Sequence, residues 1–147
     1  MEVRPAGESD LASLMRLRST WRGAELTPDF AESFTSWFGR EGSNRWWWLA
    51  LDGSAAVGMV NLKLYERMPS PAAPASRWGY LGNLFVLPTH RDRCVGGQLV
   101  EALLERAREE GLVRVVLSPS DSSVPLYQRH GFRADHGLLV CPLSERP

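Results

Sequence analysis

Apolar residues recur along this chain with two periods, near two and near 3.6, and the switches between them divide it into elements. "EVR" at positions 2–4 reads as a short first strand. Behind Ser9 or Asp10 as a cap, Leu11, Leu14, Met15, Leu17 and Trp21 then recur at helical spacing. A second helix is predicted from Thr27 as cap and Pro28 at the first helical position, with Phe30, Phe34, Trp37 and Phe38 on one face and Gly39 at its end. "RWWWLAL" and "AAVGMVNLKLY" flank Asp52-Gly53, which predicts two strands joined by a tight hairpin, with Val60, Leu62 and Leu64 on one face of the second. Pro69, Pro71 and Pro74 remove ladder donors from the stretch that follows and make 66–77 a loop.

"GYLGNLFVL" has the pattern of a central strand, closed by Pro88. From Val95, Leu99, Leu103 and Ala107 follow at four-residue steps beside Val100 and Leu104, while Glu101, Glu105, Arg106, Arg108 and Glu109 face outward; this helix ends at Gly111. "LVRVVLSP" is a continuous apolar run of the kind buried on both faces of a sheet. "SSVPLYQRHG" predicts a helix of about two turns stopped by Gly131, and "FRADHGLLVCPL" predicts one or two last strands. The order is β-α-α-β-β-β-α-β-α-β-β, without internal repeats, which places the chain in the α/β class.

At 147 residues the chain is read as a single domain over 1–147. Lys+Arg and Asp+Glu balance at 17 each, so the basic excess expected of a nucleic-acid binder is missing. Arginine supplies 16 of the 17 cations and Lys63 the other, a bias that a GC-rich genome explains as readily as guanidinium chemistry. Cys94 and Cys141 match no metal spacing and are too few to staple the fold, so no metal and a reducing, cytoplasmic setting are expected. "MEVRPAGESDL" lacks an apolar signal core and no run of about 18 apolar residues occurs, which disfavours secretion and a membrane partner.

Candidate chemistry concentrates in "VLPTHRDRCVGGQLVEALL", residues 86–104, where two arginines and a glycine pair precede a long amphipathic helix. A helix start leaves about four N–H groups without internal partners and carries partial positive charge. Glycine lets ligand oxygens approach backbone and arginine adds charged donors, so Arg91-x-Arg93-x-x-Gly96-Gly97 suits a phosphate. The same residues also read as a solvated turn, Arg91-Asp92-Arg93, with glycines that relieve crowding between helix and sheet. A P-loop and a dinucleotide-binding G-x-G-x-x-G are both absent.

"LFVLPTHRDRCVGG" and "SDSSVPLYQRHGF" together resemble the GCN5-related N-acetyltransferases: the first is similar to the family's strand, proline and R/Q-x-x-G-x-G/A pyrophosphate loop, the second to its leucine-tyrosine…glycine-phenylalanine signature. The resemblance implies an acyl-CoA N-acyltransferase fold, a mixed sheet of six or seven strands flanked by about four helices, and acetyl-CoA as co-substrate. It implies cofactor contacts from Leu84, Phe85 and Val86, from Arg91, Asp92, Arg93, Cys94, Val95, Gly96 and Gly97, and from Ser120 and Arg129. Counted from Pro88, Cys94 stands where the family usually has glycine, and Ser120 where many relatives have asparagine. Arg129 also reads as a plain helix-face cation. A thiol at a helix N-terminus is also open to a redox role for Cys94.

The resemblance further implies backbone amides near Leu84 or Phe85 that polarise the thioester carbonyl, and Tyr127 as the acid that protonates the leaving thiolate. A phenol near pKa ~10 can donate to a thiolate whose acid lies near ~8.5. The acceptor is then a small-molecule primary amine, with no covalent intermediate, and a homodimer is common in the family. Protein N-termini or lysines, or a non-catalytic acyl-CoA sensor, are the alternatives. The general base is not evident. "GYLGNLFV" offers Asn83 and Tyr80, Glu25, Asp29 and Glu66 flank the expected groove, and His90, His130 and His136 read as structural or surface. The acceptor pocket is expected from 21–34 and 66–77, with Trp21, Glu25, Phe30, Phe34 and Asn83 as candidate contacts. Trp21, Phe30, Phe34 and the Trp46–Trp48 run could wall in a cationic or aromatic amine, although their spacing also makes them core.

Overall fold

Three consecutive tryptophans alternate sides of a strand, and this decides which helix each meets. Trp47 packs with Leu49 and Leu51 on one face, while Trp48 and Ala50 pack on the other. The computed structural model describes residues 1–134 and 137–144. They form β1 (Glu2–Ala6), α1 (Leu11–Arg22), α2 (Pro28–Glu41), β2 (Arg45–Asp52), β3 (Ala55–Glu66), β4 (Arg77–Val86), α3 (Val95–Glu109), β5 (Val115–Val116) and α4 (Val124–Arg129). The sheet order is β1-β2-β3-β4-β5, antiparallel except for the parallel β4–β5 pair.

The core has two halves divided by the sheet. On one face α3 sets Val95, Leu99, Val100, Leu103 and Leu104 against Val60, Leu62 and Leu81, and α4 adds Tyr127. On the other, Leu14 and Leu17 of α1 meet Trp47, Leu49, Met59 and Phe85, with Phe34, Trp37 and Phe38 of α2 at the margin. Each fully buried aliphatic side chain contributes ~1.5–3 kcal/mol of burial free energy. Phe30 N donates to Thr27 Oγ1 at 3.1 Å, so Thr27 caps α2 as its position before Pro28 predicts.

Asp10 ties β1 to α1. Its carboxylate accepts from both Arg4 guanidinium nitrogens at 2.9 and 3.0 Å and from Gly7 N at 3.0 Å. The Arg4 hydrogen bond, aided by the Gly7 amide, holds the carboxyl below its ordinary value against the opposing effect of burial. A carboxyl lowered in the folded state stabilises it above the unfolded pKa of ~3.9, and the contribution is lost as pH falls through the folded value. Asp10→Asn is therefore expected to flatten the acid limb of a stability profile below about pH 4. Urea midpoints from pH 2.5 to 7 check this; parallel limbs for the two proteins would disprove it.

Three expectations are corrected. The second helix does not stop at Gly39 but runs to Glu41, where Gly42 turns the chain at φ 49°. The run 112–119 is not a strand buried on both faces: only Val115 and Val116 pair with β4, and both are half-buried. The described residues hold five strands rather than six or seven, and 132–134 and 137–144 contain none. The last predicted strands also involve Asp135 and His136, which lie outside the described residues.

Candidate active site

β4 and β5 pair briefly and then part. Gly79 faces Val115 and Tyr80 faces Val116, Val113 N also donates to Arg77 O at 2.9 Å, and beyond Tyr80 the pairing stops. β4 continues to Val86 while the chain after β5 heads to Ser120, leaving a wedge open between them. On β4's other edge the register with β3 shifts between Met59 and Asn61, opposite Asn83, whose φ of 58° marks a bulge. The bulge falls beside the stretch of β4 that has lost β5 as a partner, while Phe85 and Val86 still pair with Met59 and Gly58 of β3.

The turn after β4 folds Arg91 back onto the end of that strand. Arg91 Nε donates to the Val86 carbonyl at 3.1 Å, with its guanidinium 5.9 Å from the Phe85 ring. His90 Nε2 sits 2.9 Å from Asp52 Oδ2, pinning the turn to the β2–β3 hairpin. Asp92 and Cys94 both take left-handed backbone, φ 65° and 62°. The first α3 amide with a backbone acceptor is Gln98, bonded to Cys94 O at 3.0 Å. The amides of Val95, Gly96 and Gly97 lie in the first turn, where a helix supplies no acceptor. A Cβ on Gly97 would stand 3.1 Å from His130 Nε2, and one on Gly96 3.6 Å from Leu126. The glycines therefore let α4 approach α3, while the first-turn amides have no backbone acceptor among the described residues, so the two readings of this stretch are compatible.

A cavity of about 540 Å³ opens from the wedge onto the α1 side of the sheet. Trp21, Arg45, Lys63, Tyr80, Asn83 and Leu84 line it, together with Ser120 and Tyr127. Among the described residues no carboxylate and no imidazole does so. Tyr127 is held on α4 with its ring 5.6 Å from Phe132, edge to face, and burial pushes its phenol above the ordinary value. Tyr80 Oη donates to Ser118 Oγ at 2.7 Å across the wedge. A larger opening of about 930 Å³ runs along the outer side of β5 between apolar walls such as Leu104, Leu112 and Phe132, and Tyr127 lines both.

Beside the 540 Å³ cavity, Glu41 joins Arg45 and Lys63. Its Oε1 accepts from Arg45 Nε at 2.7 Å and its Oε2 from Lys63 Nζ at 2.8 Å, while Arg45 Nη1 donates to Asn61 Oδ1 at 2.6 Å. Burial pushes the Glu41 carboxyl up, but the hydrogen bonds from Lys63 and Arg45 outweigh it and leave it below its usual range. The sequence reading missed this cluster; its only signal was a lone lysine in a chain of arginines.

The family model described as "Acetyltransferase (GNAT) family" matches residues 11–132. The chain belongs to the GNAT family. Two curated relatives align over shorter stretches: an uncharacterized N-acetyltransferase of Bacillus subtilis (strain 168), 35% identical over 65 residues covering 40% of this chain and 46% of the relative, and glucosamine 6-phosphate N-acetyltransferase of Trypanosoma brucei brucei, 36% identical over 56 residues covering 38% of each. The chain thus spans less than half the length of these relatives. A predicted acetyltransferase from Clostridium acetobutylicum, solved with acetyl-CoA, shares the fold with a TM-score of 0.78 at 21% identity, covering 97% of this chain and 96% of that one.

For this GNAT chain the structure brings together Leu84, Asn83, Ser120, Tyr127 and Trp21 around one cavity. Phe85 turns its ring to the α1 side, stacked on Trp21 at 5.3 Å, and Val86 lies over Gly58 and Gly96. Arg129 is exposed on α4 outside both cavities. Glu25, Phe30 and Phe34 are not brought to the 540 Å³ cavity: Glu25 is exposed in the α1–α2 connection, and the two phenylalanines pack edge to face with each other, Phe34 also against Trp37. The 66–77 loop contributes none of the lining either; β2, β3 and the chain after β5 do. Trp47 belongs to the core, as its spacing allowed. His90 and His130 serve structural contacts, His130 with Glu101 at 3.1 Å.

Cys94 occupies a left-handed residue ahead of α3, a conformation that costs a non-glycine L-residue ~1–2 kcal/mol. The side chain is exposed and makes no hydrogen bond to the described residues that would compensate. Cys94→Gly is expected to raise stability, by about 0.5–1 kcal/mol after the entropy that glycine adds to the unfolded chain. Denaturant unfolding checks this, and a loss of stability would show that the turn is not strained at Cys94.

Proposed function

We propose that this chain transfers the acetyl group of acetyl-CoA to a primary amine of a small molecule. The observation that carries this reading is the wedge between β4 and β5, with an anion-suited turn at one end and Tyr127 at the other. The turn fits the diphosphate through the first-turn amides of α3 and the neighbouring cations Arg91 and Arg93, and Cys94 presents its side chain to solvent. The thioester arm lies along Leu84–Val86, on the edge of β4 left without a partner strand, where a backbone amide hydrogen-bonds the carbonyl oxygen as negative charge develops there. The amine nitrogen bonds to the acyl carbon, the C–S bond breaks, and Tyr127 gives its proton to the leaving thiolate. The nitrogen's surplus proton passes to water, since no carboxylate or imidazole lines the cavity among the described residues.

That same lack favours a second reading, a non-catalytic acyl-CoA sensor. The cationic lining runs against acetylation of protein lysines, which would bring further positive charge. Thermal shift with acetyl-CoA and thiol release on a panel of small amines separate the readings. A shift with thiol release supports transfer, a shift with no release on any amine supports the sensor, and no shift overturns both.

A further inference from the structure

We propose that Arg45 and Lys63 form a subsite for an anionic group, phosphate or carboxylate, carried by the acceptor amine; this rests on the acetyl-transfer reading and names its substrate class. The two cations are cross-strand neighbours, Arg45 opposite Lys63 and Lys63 opposite Tyr80, so one row of the sheet leads from the charges toward the wedge. Their side chains are only 16% and 22% exposed, and both line the 540 Å³ cavity that Tyr127 also lines. One carboxylate, Glu41, stands against two cations, so the cluster keeps one net positive charge.

Donors dominate the rest of the surroundings. Glu41 has given both oxygens to Arg45 and Lys63 and is not part of the lining. Asn61 is fully buried and spends its carbonyl on Arg45, which leaves its Nδ2 hydrogens without a partner in the described protein. Lys63 uses one hydrogen bond on Glu41 and an ammonium has three to give. A half-buried cation pair held in place by a shared carboxylate is preorganised for an anion, because its side-chain ordering is complete before ligand arrives. A purely cationic acceptor would meet uncompensated like charge here. An acceptor with its anion at Arg45 and Lys63 places its amine farther along the row, toward Tyr127.

The test compares matched amines on the full chain with acetyl-CoA: 2-aminoethyl phosphate against ethanolamine, and β-alanine against propylamine. Expected is a kcat/KM at least tenfold higher for the anionic member of each pair. That ratio should drop about tenfold in Lys63→Met, mainly through KM, and persist in Lys63→Arg. Equal use of both members by the wild type, or a ratio unmoved in Lys63→Met, overturns the proposal while leaving acetyl transfer standing. Inorganic phosphate, titrated with coenzyme A already saturating, gives a readout independent of turnover. Thermal stabilisation of the wild type that Lys63→Met loses supports the subsite, and equal stabilisation of the two overturns it. Phosphate binding of this kind without thiol release on any amine would sink the transfer reading instead.

Discussion

Tyr127→Phe is expected to slow acetyl transfer by about 10²-fold while acetyl-CoA still raises the melting temperature as it does for the wild type. The ring is buried against Phe132 and within the α3-side core, so phenylalanine retains the packing and only the hydroxyl is lost. Burial pushes the phenol up, which keeps it protonated far beyond neutral pH and available as a donor to a thiolate. The alkaline limb of kcat set by this group therefore lies above about pH 10. If the variant turns over at the wild-type rate, Tyr127 is a core residue that happens to face the cavity, and the thiolate leaves unaided.

Leu99→Ala should cost about 2–5 kcal/mol, the range for emptying a buried leucine site that cannot collapse. Leu99 is fully buried on α3 and fills the notch over Gly58, where even a built Cβ would come within 3.1 Å of its Cδ1. Both walls are regular elements in a sheet and a helix, which limits relaxation into the void. Against a total of ~5–15 kcal/mol this is a large share, and for a chain of this size it lowers Tm on the order of 10 °C. Calorimetry or chemical denaturation reads it. A loss below 1 kcal/mol would mean that α3, and the turn it anchors at residues 91–97, is held by something other than this contact.

Much of the fold was legible because its signals are local. The tryptophan-rich and valine-rich strands either side of Asp52-Gly53, the Thr27-Pro28 helix start and the heptad-like steps of α3 each encode an element within a dozen residues, and all appear. The errors fell where local pattern meets a global choice. Residues 112–119 are apolar enough for a long strand, but a strand needs a ladder, and β4 offers one only from Arg77 to Tyr80, ahead of the bulge at Asn83. Phe30 and Phe34 carried the right chemistry for a pocket wall; the helix that bears them instead sets Phe34, beside its own Trp37, against Trp47 of β2, with Phe30 packed on Phe34. Gly39 was a plausible stop, yet α2, with Trp37 and Phe38 packed on Trp47, runs two residues further, to Glu41.

The candidate site divides the same way. Its cofactor half sits within two short motifs, so the order of proline, arginines, glycines, tyrosine and the final glycine-phenylalanine was enough to point to GNAT chemistry. The proposed acceptor half is assembled from Glu41, Arg45, Asn61 and Lys63, one at a helix end and three on paired strands. Periodicity, with caps and turn residues, determined where most of the helices and strands form, because burial of one face repeats with the geometry of each element. Only the tertiary structure decided that Lys63 joins these charges, since cross-strand register sets Arg45 opposite Lys63, and Glu41, four residues before Arg45, then bonds both.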